Sequence, residues 1–239
     1  MVLSEPPFAL KGKAGCHKMK YHTKVKRSVL LLCLVILTGS GCAKPTLVKE
    51  PDVAKTWTCD EIADKAMERG DYETGIRLHH DIVNKKSENG LAWYHLGYAY
   101  GRIGDHMTEV RYYERAEATG YQAEGLFFNL GMAYGELDQI KESIGAFKKA
   151  IAINPDSADN YFGLGLAYQR ASDYTDSEEA FLQAVSLNPD NVDARLSLSM
   201  LYTAIGKNEE AAAQLHKILE IDPSHVGAQQ LLRQIDEMH

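Results

Sequence analysis

The chain has 239 residues, with 26 basic against 33 acidic side chains, a formal net charge of −7, and 45% apolar and 25% charged residues. That mix excludes wholesale disorder and a collagen-like chain, and the acidic balance argues against a nucleic-acid-binding stripe. Four cysteines, Cys16, Cys33, Cys42 and Cys59, form no CxxC pair, so neither a zinc ribbon nor a disulfide framework is indicated.

The charge is unevenly spread. Residues 1–41 carry seven basic residues and one acid, Glu5, whereas residues 56–239 carry 16 basic and 30 acidic residues, a net of −14. Residues 29–37, VLLLCLVIL, are nine apolar residues behind Lys24, Lys26 and Arg27. A membrane-spanning helix needs about 20 apolar residues, so the run is too short to span. A basic segment, a short apolar core and then Gly39, Ser40 and Gly41 describe a secretory signal over residues 1–41. With Cys42 following at once, the stretch resembles a bacterial lipoprotein signal. The resemblance implies cleavage before Cys42 and lipid attachment there. Ala43, where the family's sorting rule would read Asp as a retention mark, implies an outer-membrane lipoprotein facing the periplasm. A signal cleaved without lipidation, giving a secreted or soluble periplasmic protein, is the alternative, as is an uncleaved anchor. Met19 offers a second start that would make a signal of ordinary length. Residues 42–55 hold Pro45 and Pro51 among mixed charges, which discourages regular structure and reads as a flexible tether.

Beyond residue 55 the chain repeats itself. Leu96, Leu130, Leu164 and Leu198 are spaced by one period, as are Tyr100, Tyr134, Tyr168 and Tyr202. Gly97, Gly131 and Gly165 share that period with Ser199, as do Ala116, Ala150 and Ala184, and Pro155, Pro189 and Pro223. Five uninterrupted units follow, at 56–89, 90–123, 124–157, 158–191 and 192–225. In the third, Phe127, Leu130, Gly131 and Tyr134 fall on one helix face, and Ile144, Phe147, Ala150 and Ile151 on another. Each unit therefore reads as two amphipathic helices. The Pro column stops each second helix. The Gly131 column would allow the paired helix to approach closely.

These columns, with WYHLGYAY at 93–100, resemble the tetratricopeptide repeat. The resemblance implies an all-α fold: an α-solenoid, wound as a right-handed superhelix, of five helix-turn-helix units. Residues 226–239 read as a C-terminal capping helix with Val226, Leu231, Leu232 and Ile235 available for burial. The first unit is degenerate, with Cys59, Gly75, His79 and Ser87 in columns that elsewhere hold aromatic residues, small residues or Pro.

No catalytic spacing and no phosphate-cradling loop is present, and the reading is of a protein that is not an enzyme and has no cofactor. His79, His80 and Asp81 suggest a metal cluster only superficially. His79 stands in the Phe147 column and should face the core, with His80 pointing elsewhere, so no metal is assigned. Cys59, in the Trp93 column, reads as a small buried hydrophobe.

What remains is a groove. The resemblance implies that the first helices line the concave face. The groove positions would be Tyr94 and Tyr98, Phe128 and Met132, Phe162 and Leu166, and Leu196 and Met200, with Asp60 and Asp64 in the degenerate unit. The family's carboxylate-clamping residues are absent from these places. An apolar stripe suits a protein or peptide with apolar anchors and basic flanks, although packing between units or self-association into a homo-oligomer would use the same side chains. The function expected is a membrane-tethered scaffold or adaptor in assembly of envelope complexes. By architecture alone, type IV pilus biogenesis lipoproteins and envelope protease adaptor lipoproteins are the subclasses to test. A subunit of an enzyme complex or a small-ligand-binding module is the alternative class.

Overall fold

The computed structural model describes residues 57–237. The signal, Cys42 and the tether lie outside the described residues. Eleven helices follow one another, with no strand among the described residues. They are α1 (Glu61–Glu68), α2 (Tyr72–Lys85), α3 (Gly90–Arg102), α4 (His106–Ala118), α5 (Glu124–Glu136), α6 (Ile140–Ile153), α7 (Ala158–Arg170), α8 (Tyr174–Leu187), α9 (Val192–Ala204), α10 (Asn208–Ile221) and α11 (Val226–Glu237). Each helix packs on the next in the chain, which makes a helical solenoid of the tetratricopeptide-repeat kind.

Six of the helix starts are capped by short polar side chains. Asp60, Asp71, Asn89, Asp105, Asp173 and Asn191 each accept a hydrogen bond from a backbone N–H in the first turn of the helix that follows. Such a cap satisfies a donor that the helix itself cannot. Asp60, placed in the groove by its column, thus serves as the cap of α1.

The turn inside each pair is a second repeating device. Gly70, Gly104, Asp138, Ser172 and Gly206 all have positive φ, between 59° and 80°. In each turn the N–H after this residue bonds the carbonyl five residues back: Asp71 to Ala66, Asp105 to Tyr100, Gln139 to Tyr134, Asp173 to Tyr168 and Lys207 to Tyr202. This is the Schellman closure, which needs one left-handed residue. Two units place Asp138 and Ser172 there, where a side chain is strained.

The core runs lengthwise through the solenoid. The Gly131 column does what its position suggests: a Cβ on Gly97 would lie 2.5 Å from the Tyr113 ring, one on Gly165 2.5 Å from Phe181, and one on Gly131 3.0 Å from Phe147. Glycine and aromatic ring are thus paired across each of the three middle two-helix units. Buried hydroxyls reinforce this contact: Ser143 Oγ donates to the Gly131 carbonyl at 2.7 Å and Ser177 Oγ to the Gly165 carbonyl at 2.9 Å. The second unit has a buried Glu109 in that serine column, under Gly101, with His106 Nδ1 at 2.8 Å.

In α11, Ala228 and Ile235 are buried and Leu231 and Leu232 pack against the same cluster. Val226, expected to be buried, is 61% exposed. It is the first residue of the helix, ahead of the turn that packs on α10.

Candidate functional site

Curvature decides which helices line the inside. Successive first helices touch: α3 with α5, α5 with α7, and α7 with α9. Among the described residues, successive second helices share at most a weaker contact. A stack whose first helices approach one another while its second helices splay must bend toward the first helices, so α3, α5, α7 and α9 form the inner layer.

The eight groove positions fall on that layer in two columns of different character. The first column is largely spoken for. Tyr94 lies 5.6 Å from the Tyr113 ring and 5.5 Å from Tyr121, and Asn129 Nδ2 donates to its hydroxyl at 3.2 Å. Burial pushes that hydroxyl up to about 12, so it stays a neutral phenol. Phe128 meets Phe147 edge-on at 5.8 Å. Phe162 is buried and lies 5.9 Å from Phe181. Leu196 packs half-buried on the last core cluster. The second column is more open: Tyr98, Met132 and Leu166 are half-buried and Met200 is 53% exposed. These four side chains make an apolar row with one member per unit, one period apart in sequence.

Asp64, the fifth member of that column, behaves differently. Its Oδ1 stands 3.2 Å from His95 Nδ1 and 3.6 Å from His79 Nε2. His79 Nε2 is 2.9 Å from His95 Nδ1, and His79 Nδ1 is 2.8 Å from the Gly75 carbonyl. Cys59 completes the group: one ligand atom from each of Cys59, Asp64, His79 and His95 lies within 4.8 Å of the others. Cys59 packs against the apolar cluster of Val83, Ala92 and Leu96 as its column suggests, though it is half-buried rather than fully enclosed. His79 is fully buried as its column requires, and His80 turns away to Tyr112, whose hydroxyl lies 3.3 Å from its Nε2. Sequence reasoning thus pairs His79 with the wrong neighbours. The usable signal is that four polar residues stand in columns filled elsewhere mostly by apolar or small ones.

A separate hollow of about 450 Å³ lies between α7 and α8, lined by Tyr161, Leu164, Tyr168, Asp176, Glu179 and Gln183. None of the four side chains of the apolar row lines it. No described helix is long and apolar enough to cross a membrane.

Family models agree with the period. Residues 162–226 match a model described as a tetratricopeptide repeat, and residues 131–172 match one described as a TPR repeat. The chain contains tetratricopeptide repeats. Among solved structures, one described as the crystal structure of MamA is 26% identical, with a TM-score of 0.66 over 70% of this chain and 97% of that chain. A MamA chain from Desulfovibrio magneticus RS-1 is 21% identical, with a TM-score of 0.65 over 69% of this chain and 93% of that one. YrrB, described as a TPR protein with an unusual peptide-binding site, is 20% identical, with a TM-score of 0.66 over 72% of this chain and 88% of that one. No curated protein matches the sequence.

Proposed function

We propose that this protein is a non-catalytic scaffold that binds an extended or helical protein segment along its inner face. In this reading it is held at the outer membrane, facing the periplasm, by a lipid on Cys42. The observation that carries the binding reading is the row Tyr98, Met132, Leu166 and Met200, apolar and partly open on the inner layer. Core packing alone would not favour leaving four such side chains in contact with solvent on one face. A partner segment with an apolar anchor at each unit would cover them, and YrrB, of the same fold, is described as having a peptide-binding site. The net charge of −14 over residues 56–239 favours a partner with basic flanks and speeds its approach at low salt. The basic segment and apolar run before Cys42 support the tether.

Fluorescence anisotropy with a panel of amphipathic cationic peptides tests the binding. Wild type should bind a subset, and Met132→Glu/Leu166→Glu should lose it while keeping its helical circular dichroism. Equal binding by the folded variant would sink the proposal. For the tether, radiolabelled palmitate should enter wild type and not Cys42→Ala. Labelling of both, or of neither, contradicts lipidation there.

A further inference from the structure

We propose that Cys59, Asp64, His79 and His95 bind one zinc ion, in a closed structural site that fastens the first helix pair to the rest of the solenoid. The four side chains come from four places: the segment before α1, then α1, α2 and α3. Their ligand atoms nevertheless converge to within 4.8 Å. In a tetrahedral zinc site, bond lengths of about 2.0–2.3 Å put ligand atoms about 3.3–3.6 Å apart. The two distances from Asp64, 3.2 and 3.6 Å, already fit. The 2.9 Å between the two imidazole nitrogens must open by a few tenths of an ångström. The sulfur must close in, which a Cys in the segment ahead of α1 can do by side-chain rotation.

The protonation pattern suits a metal. A carbonyl only accepts, so the contact between His79 Nδ1 and the Gly75 carbonyl places the hydrogen on Nδ1. In that tautomer the Nε2 lone pair points into the cluster. This is the outer-shell arrangement that orients metal-bound histidines. With His79 Nε2 accepting, the 2.9 Å contact places a hydrogen on His95 Nδ1, so ligation by that atom moves the hydrogen to His95 Nε2. Cys59 packs against a cluster containing Val83, Ala92 and Leu96, which gives the site an apolar wall.

Charge and chemistry point to zinc. A thiolate and a carboxylate carry two negative charges, two neutral imidazoles none, and a divalent cation leaves the half-buried site neutral. Binding releases the thiol proton to solvent and involves no electron transfer. One sulfur, two nitrogens and one oxygen are ligand types that zinc accepts. With all four positions filled by protein, no place is left for a reacting water, so the site is structural.

Location supplies the reason. α1 has eight residues, fewer than any other helix described, and an isolated helix below about 12–15 residues is marginal in water. The first pair also replaces the ring of the Phe147 column with His79, a smaller apolar contribution. A metal bridging α1, α2 and α3 offsets both deficits.

The test uses the full chain, stripped with chelator and titrated with zinc chloride and, separately, with cobalt chloride. Wild type should take up one equivalent. The cobalt form should show intense visible bands of tetrahedral coordination and a near-ultraviolet thiolate charge-transfer band. Cys59→Ala should lose the charge-transfer band. His95→Asn, which places the residue of Asn129 in the matching position, should weaken zinc binding beyond the roughly 10–100-fold that loss of an outer-shell partner costs. Unchanged metal-free circular dichroism confirms that both variants fold. Absence of stoichiometric binding by wild type would overturn the proposal and leave a hydrogen-bonded His–His–Asp cluster. So would identical cobalt spectra in wild type and both variants.

Discussion

Two glycine-to-alanine substitutions, chemically identical, should move stability in opposite directions. Gly165 lies on α7 against Phe181, and a Cβ there would sit 2.5 Å from Cδ1 and 2.6 Å from Cε1 of that ring. Phe181 is fully buried, so the ring has little room to yield. Overpacking of this kind costs about 1–3 kcal/mol, against about 1 kcal/mol returned by the better helix propensity of Ala. A 2.5 Å approach to a fully buried ring belongs at the upper end of that range, so the net expectation for Gly165→Ala is a loss of about 2 kcal/mol. Gly145 lies on α6 with nothing within 4 Å of its Cβ position. Gly145→Ala should therefore gain about 1 kcal/mol. At roughly 2–4 °C per kcal/mol for a domain of this size, a difference of about 3 kcal/mol should separate the melting temperatures by about 6–12 °C. Because a repeat array can open in parts, amide hydrogen exchange should accompany the melts. Faster exchange in Gly165→Ala should concentrate in α7 and α8. A Gly165→Ala protein as stable as wild type would refute the claim that close approach, rather than chance, places glycine in that column.

The left-handed turn column yields a second test: Ser172→Gly should stabilise by about 1 kcal/mol by relieving a positive φ, read in urea titrations, while Ala at Gly104 should destabilise by a similar amount. Glu109 gives a pH test. Burial raises its pKa above the ordinary glutamate value, with His106 opposing the rise and Glu136 adding to it. A raised carboxyl pKa means that the folded state holds the proton more tightly than the unfolded state. Stability from this group is therefore greatest at acid pH and lost as pH rises through the folded value. Glu109→Gln should gain on wild type between pH 4 and pH 7 in thermal melts. A difference moving in wild type's favour would mean that the His106 contact outweighs burial.

The period was readable because burial imposes it. Gly97, Gly131 and Gly165 face Tyr113, Phe147 and Phe181, and these pairs recur because each unit must solve the same packing problem. The left-handed column was harder to see, since Asp138 and Ser172 interrupt the glycine series at Gly70, Gly104 and Gly206. Backbone conformation there follows from helix closure rather than from side-chain type. In the groove, register was readable but exposure was not. Leu166 and Met200 share one column, yet Leu166 packs partly against the core cluster that contains Leu198 while Met200 is open. The Cys59, Asp64, His79 and His95 cluster stayed hidden because its members are 36 residues apart at the extremes and read singly as failures of the repeat. Only the crossing of α1, α2 and α3 brings their ligand atoms together.

The central claim is that the partner lies along the inner apolar row. Photo-crosslinking in cells measures this directly, with a photoreactive residue placed in turn at Met132, Leu166 and Leu182. Leu182 is an exposed apolar control on the second helix α8. The account predicts a shared adduct from Met132 and Leu166 and none from Leu182. Adducts from Leu182 alone, or the same adducts from all three positions, would contradict it.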